Sequence, residues 1–274
     1  MRRRRHGQRD HLRTPLSTGL LSGPRSRPWD AAEGSKFGNT HEKGPAVRRN
    51  LRHNRPVLVL LAITSGAVDA IAFLGLGGIF TANMTGNLVL LGLVGRPDYQ
   101  RSAIHAAAAC AAFALGLYLS FRNGRPQPGK PEPGPYPLLV LVALMQSAIW
   151  VTWMLESATP NEMTQTIILI TSAISMGVQT AASRRIAGHS GITTTFVTGT
   201  LTSLIEDAAN SRHHATVARI FVIGALSMGA LLCSLLLAYA PMFAPALPVL
   251  GVVAAIAVSL QRGSAAAELP SEQK

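Results

Sequence analysis

Charged side chains are scarce in this sequence, 14% of 274 residues, where soluble globular domains carry about 25%. That shortage argues against a water-soluble fold for most of the chain. Cysteine is nearly absent too. Cys110 and Cys233 each lie in an apolar run without Cys-x-x-Cys spacing, which speaks against a thiolate metal cluster and a disulfide framework. His105, His189, His213 and His214 lack the spacing of metal ligands, so neither metal nor cofactor is expected. No nucleotide-binding loop, Gly-x-Ser-x-Gly elbow or zinc-protease motif occurs, and an enzyme is not expected. Acidic residues are few, 13 against 25 Lys and Arg, for a net charge of +12. The basic excess sits largely in residues 1–55 and at loop ends rather than on a folded basic face, so nucleic acid is not an expected partner.

What the sequence does have is long apolar runs. A helix rises about 1.5 Å per residue and the hydrocarbon core is about 30 Å thick, so roughly 20 apolar residues cross it. Residues 57–76, 102–121, 137–155, 163–183 and 217–240 meet that length, and 244–261, after Pro241, nearly does. The expected class is therefore all-α: a polytopic membrane protein of about six spans, with the lipid bilayer as its surroundings. Residues 1–55 are rich in Arg, Gly, Pro and Ser without a sustained apolar period, and are expected to be a disordered cytoplasmic tail rather than a leader. Residues 56–262 form the transmembrane domain and 263–274 a C-terminal tail.

Two pieces fit the span count poorly. Residues 56–95 hold one charged side chain, Asp69, yet are too long for a single helix even when tilted. Gly75, Gly77, Gly78 and the stretch Thr81-Ala82-Asn83-Met84-Thr85-Gly86-Asn87 mark a break inside them. The second piece, Ile186 to Ile205, is too polar to face lipid. The two resemble each other: Met84-Thr85-Gly86-Asn87-Leu88 matches Val197-Thr198-Gly199-Thr200-Leu201, and upstream Gly66-Ala67-Val68-Asp69-Ala70 matches Gly177-Val178-Gln179-Thr180-Ala181 at nearly the same offset. This is an internal repeat, with half one at about 56–135, half two at about 160–262, and a linking span over 137–156.

Cytoplasmic loops carry an excess of Lys and Arg. With Arg48, Arg49, Arg52 and Arg55 inside, re-entrant broken pieces put Arg122, Arg125 and Lys130 inside, Glu156 and Glu162 outside, and Arg184 and Arg185 inside. Full crossings would invert all three. Only Arg96 and Arg101, placed outside, oppose the re-entrant arrangement. Six spans with two re-entrant helices make the repeat an inverted one, a transporter signature, and both breaks are expected near the midplane.

Asp69 is the acid well inside a span, costing at least about 2.5 kcal/mol unless paired or protonated. It is read either as a proton- or cation-coupling carboxylate or as a structural acid bonded to the broken helix. Thr85, Gly86, Asn87, Thr198, Gly199 and Thr200 would open short helices whose unpaired N–H groups hold a polar or anionic group, or would only cap and pack. Gln179 joins them as a neighbour of Thr180, the counterpart of Asp69. Arg184 and Arg185 could guide an anion, or simply set orientation.

Gly66-x-x-Asp69-Ala70 followed by Phe80-x-x-Asn83-Met84-Thr85-Gly86-Asn87 resembles the YoaK-type integral membrane proteins of bacteria. In the second half, Gly177-Val178-Gln179-Thr180-Ala181, Arg184-Arg185, Thr193-Thr194 and Val197-Thr198-Gly199-Thr200-Leu201 are similar to that family's second block, with Thr180 where Asn is expected. The resemblance covers about residues 57–261 and implies a multi-pass bacterial inner-membrane protein, with no established activity. The expected function is transport of a small polar or anionic solute, proton-coupled at Asp69. The rival is a noncatalytic membrane scaffold, and a homo-oligomer is compatible with either.

Overall fold

Apolar residues in unbroken runs can satisfy their backbone groups in lipid only by closing them within helices. In the computed structural model, which describes residues 45–124, 134–187, 199, 201–202, 205 and 213–267, the regular elements are accordingly all helical. They are α1 (Pro45–Gly75), α2 (Met84–Gly92), α3 (Tyr99–Asn123), α4 (Tyr136–Leu155), α5 (Glu162–Ala187), α6 (His213–Tyr239) and α7 (Ala246–Ala267), with a 3-10 turn at Pro241–Phe243. Six of them, all but α2, are long and apolar enough to cross a membrane. α1 starts at Pro45, upstream of the boundary expected at residue 55; its apolar portion runs from Asn54 to Gly75.

The boundaries follow local chemistry. α1 stops at Gly77 and Gly78, whose φ of 91° and 77° only glycine adopts without strain. Asn83 caps α2 by accepting from the Gly86 N–H, and Asn161 caps α5 by accepting from Thr164. Pro241, which cannot continue a helix, separates α6 from α7.

α1 and α5 form the centre. Of their best apolar windows 67% and 72% are buried by other helices, against at most 33% for the other four spans, which turn more side chains outward. α1 packs on α6 and α7, α5 packs on α3 and α4, α1 meets α5, and α4 meets α7. Exchanging α1 with α5, α3 with α6 and α4 with α7 returns the same set of contacts. The repeat read from the sequence is therefore a repeat of packing.

Glycines at matched positions make the two main crossings. A Cβ on Gly66 would run into the Leu226 carbonyl of α6, and one on Gly229 of α6 into the Ile63 carbonyl of α1. Likewise, a Cβ on Gly177 would strike the Phe113 carbonyl of α3, and one on Gly116 of α3 the Ile174 carbonyl of α5. Helices in lipid associate through such backbone approach, because the solvent is as apolar as their side chains.

The ends of the helices fix their relative directions. Leu76 and Gly77 after α1, Arg96, Pro97, Asp98 and Arg101 before and in α3, and Glu162 at the start of α5 line one pocket, and Arg101 pairs with Glu162 at 2.9 Å. The Trp153 indole of α4 donates to the Pro241 carbonyl after α6. At the opposite end, Asn54 of α1 donates to the Ile186 carbonyl of α5, and Arg185 donates to Ser120 near the end of α3 and to Gly134 before α4. Leu58 and Ala62 cluster there with Ala187, Val222 and Ala225, which brings the first half of α6 to the same end. α1 and α5 thus run antiparallel. The connection between α1 and α3 leaves and returns at one end, and that between α5 and α6 leaves and returns at the other. The halves are inverted, and Arg101, which opposed the re-entrant reading, has Glu162 beside it.

Candidate functional site

α2 has 9 residues, about 13 Å of helix, less than half the hydrocarbon thickness. It is held in place by buried polar groups that precede it. The Asp69 carboxylate, all on Oδ1, accepts the Thr81 N–H at 2.8 Å, the Ala82 N–H at 2.7 Å and the Thr81 hydroxyl at 3.2 Å. Two backbone donors that no helix satisfies are thereby paired inside the span. Asn87, fully buried, completes the brace: its Oδ1 accepts from the Phe80 N–H at 2.9 Å and its Nδ2 donates to the Phe80 carbonyl at 2.6 Å. The residues between α1 and α2 therefore form a loop stitched at both sides.

This geometry sets the depth of the break. Asp69 lies six residues before Gly75, about 9 Å along the helix, so the loop is held back about that far from the end of α1. The reason is that the chain turns where Asp69 captures its N–H groups.

Beside the brace is a cavity of about 500 Å³ between α1 and α6, with the loop as its third wall. Asp69 and Thr85 line it together with Asn83 and, from α6, Ser234. The bonds from Thr81 and Ala82 all fall on Asp69 Oδ1, and the Asn83 N–H adds a further donor to the same carboxylate. Ser65, one turn before Asp69 on the same face of α1, is also in the wall, and its buried hydroxyl has no partner. Phe73 and Phe80 stack with ring centroids 4.9 Å apart and close the outer part of the cavity.

The sequence candidates divide accordingly. Asp69 and Thr85 face the cavity; Gly86 packs beneath the Phe80 ring; Asn87 is committed to Phe80. Gln179 lies elsewhere, in the contact of α5 with α1: its Nε2 donates to the Leu61 carbonyl at 3.0 Å, while its buried Oε1 is unpartnered. Arg185 holds the carbonyl end of α3, a favourable place for a cation, and Arg184 is exposed. Gly199 is helical, whereas Thr198 and Thr200 lie outside the described residues. Ser65, Phe73 and Ser234 were not singled out from the sequence. The place of Ser65 four residues before Asp69 was the available signal; Ser234 offered none, because only the crossing of α6 over α1 brings it there. Among the described residues no group of three or more His, Cys, Asp or Glu is arranged to hold a metal ion.

Comparison with known proteins agrees with this architecture. The family profile described as "Protein of unknown function (DUF1275)" matches residues 57–259. Among curated proteins the chain is similar to the UPF0700 transmembrane protein YoaK of Bacillus subtilis (strain 168), at 37% identity over 156 residues, which cover 57% of this chain and 67% of that protein. No solved structure matches.

Proposed function

Because the chain belongs to the DUF1275 family, whose description assigns no activity, and has six candidate spans, we propose that it is a transporter. It moves a small polar solute by alternating access between two inverted halves. The observation that carries this reading is the antiparallel pairing of α1 and α5, with α3 packed on α5 and α6 packed on α1 in the same way. Inverted repeats with broken helices let one half rock against the other around a fixed site. The intramembrane carboxylate in the wall of a cavity supports the same reading, since acids at that depth mark ion and proton paths. Asp69 is the coupling group, taking up a proton or a cation when the cavity opens. The excess of Lys and Arg beside α1 and at the Arg185 end favours a bacterial inner-membrane protein with its N-terminus in the cytoplasm.

A scaffold reading draws on one specific observation, that Asp69 Oδ1 already braces the loop. The two are separated by accessibility. Single cysteines at Thr85 and Ser234 in a cysteine-free background are labelled from each side of sealed vesicles. A transporter gives labelling from both sides, in proportions that change with the solute gradient. Labelling from one side alone under every condition would remove the transport reading and leave the scaffold.

A further inference from the structure

Four features of the Asp69 cavity narrow what it can hold. First, among the described residues Asp69 is the one ionisable side chain in its wall, and no Lys or Arg lines it. Second, most of the backbone donors that would receive an anion at the start of α2 are engaged. Thr81 and Ala82 donate to Asp69, Met84 donates to the Ala82 carbonyl, and Gly86 donates to Asn83. Third, oxygen atoms lie together in one part of the wall: the Asp69 carboxylate, whose bonds to Thr81 and Ala82 all use Oδ1, and the hydroxyl of Ser65, which is fully buried and unpartnered. A buried hydroxyl without a partner is destabilising, and a ligand in the cavity would recover it. Fourth, the rest of the wall is largely apolar, with the stacked Phe73 and Phe80 beside the oxygens and Leu226 and Leu231 on α6.

We propose that the solute of this cavity is a small organic cation, a protonated amine or quaternary ammonium, held by the Asp69 carboxylate and Ser65 at one part of the wall and by the Phe73–Phe80 pair at another. This rests on the transport reading and names its solute. An anion would meet a carboxylate and no Lys or Arg among the described lining residues. A bare inorganic cation requires oxygen ligands all round, and here half the wall is hydrocarbon. An alkylammonium ion matches both parts, because its charged end takes the oxygens and its chain or methyl groups take the aromatic faces, where cations are attracted by the ring quadrupole. The volume of about 500 Å³ lies within the range of roughly 300–1,000 Å³ usual for small-molecule sites.

The test is binding to the full chain purified in detergent, by isothermal titration and by the shift of its thermal unfolding. The probes are hexylammonium and tetramethylammonium chloride, with sodium hexanoate and sodium chloride as comparators. Both ammonium salts are expected to bind. Asp69→Asn, which keeps the Oδ1 acceptor for the loop, weakens them by roughly tenfold or more, and Phe80→Leu by about threefold to tenfold. Ser65→Ala, which leaves charge and brace untouched, weakens them severalfold.

Tighter binding of hexanoate, a response to sodium alone, or undiminished binding by folded Asp69→Asn overturns the proposal. If Asp69→Asn fails to fold, unchanged affinity in both Ser65→Ala and Phe80→Leu overturns it equally. Uptake of the same ammonium ions into proteoliposomes then separates the two readings. Binding without uptake leaves the cation site and removes transport; uptake of another solute, indifferent to Asp69 and to ammonium ions, removes the cation assignment alone.

Discussion

The crossings of α1 with α6 and of α5 with α3 are built alike and charged differently. Each is a contact of backbone on backbone, with Gly66 and Gly229 in one and Gly177 and Gly116 in the other. One turn along, the copies part. α1 presents Asp69, which leaves its own helix to bind the Thr81 and Ala82 N–H groups. α5 presents Thr180, whose hydroxyl donates to the Met176 carbonyl of its own helix. Shape is thus kept by the repeat, while charge is confined to one copy. On the proposed transport reading, matched crossings let the halves rock, and one coupling carboxylate is enough to make the cycle respond to a proton or a cation.

The sharpest way to break this comparison is at the glycines. Leu at Gly66 must displace the α6 backbone and Leu at Gly177 that of α3, so each should cost upwards of about 3 kcal/mol, beyond ordinary overpacking. Folded yield and unfolding temperature in detergent should fall together for the two variants; a loss at one site only would deny that the crossings are equivalent. Asp69→Ala against Thr180→Ala probes the difference instead. Removing the carboxylate strands two buried N–H groups, at about 2–4 kcal/mol, while the threonine change removes no charge and should cost less, both read from thermal denaturation. Asn87→Leu should cost about 2 kcal/mol through the lost bonds to Phe80, and should raise hydrogen exchange at Phe80 while leaving α5 unaffected. Smallest of all, Gln179→Leu exchanges one bond to Leu61 for removal of an orphaned carbonyl oxygen, and stability should change by less than about 1 kcal/mol; a large loss would show that Oε1 has a partner in the membrane.

Much of the architecture was legible because its causes are local. The six spans appear within a few residues of where apolar length places them, since lipid thickness sets a minimum that few other constraints modify. The first break was legible at Gly77 and Gly78 for the same reason. The roles of polar residues were less so. Asn87 reads as a group that could meet solute, yet both ends of its amide go to Phe80, a partner seven residues back that no periodicity selects. Gln179 reads as a companion of the site through its neighbour Thr180, and instead ties α5 to Leu61. Arg185 reads as a charge facing water or an anion, and holds Ser120 and Gly134.

By itself the sequence determined the class, the number of spans, the repeat and the intramembrane acid, because each depends on composition and spacing along one chain. Only the tertiary structure decided that α1 and α5 lie at the centre, that the halves meet at glycine crossings, and that Asp69 braces the loop in the wall of a cavity closed by α6. Those are relations between helices. The bilayer requires each helix to satisfy its own backbone, but it is indifferent to which neighbour the helix then finds.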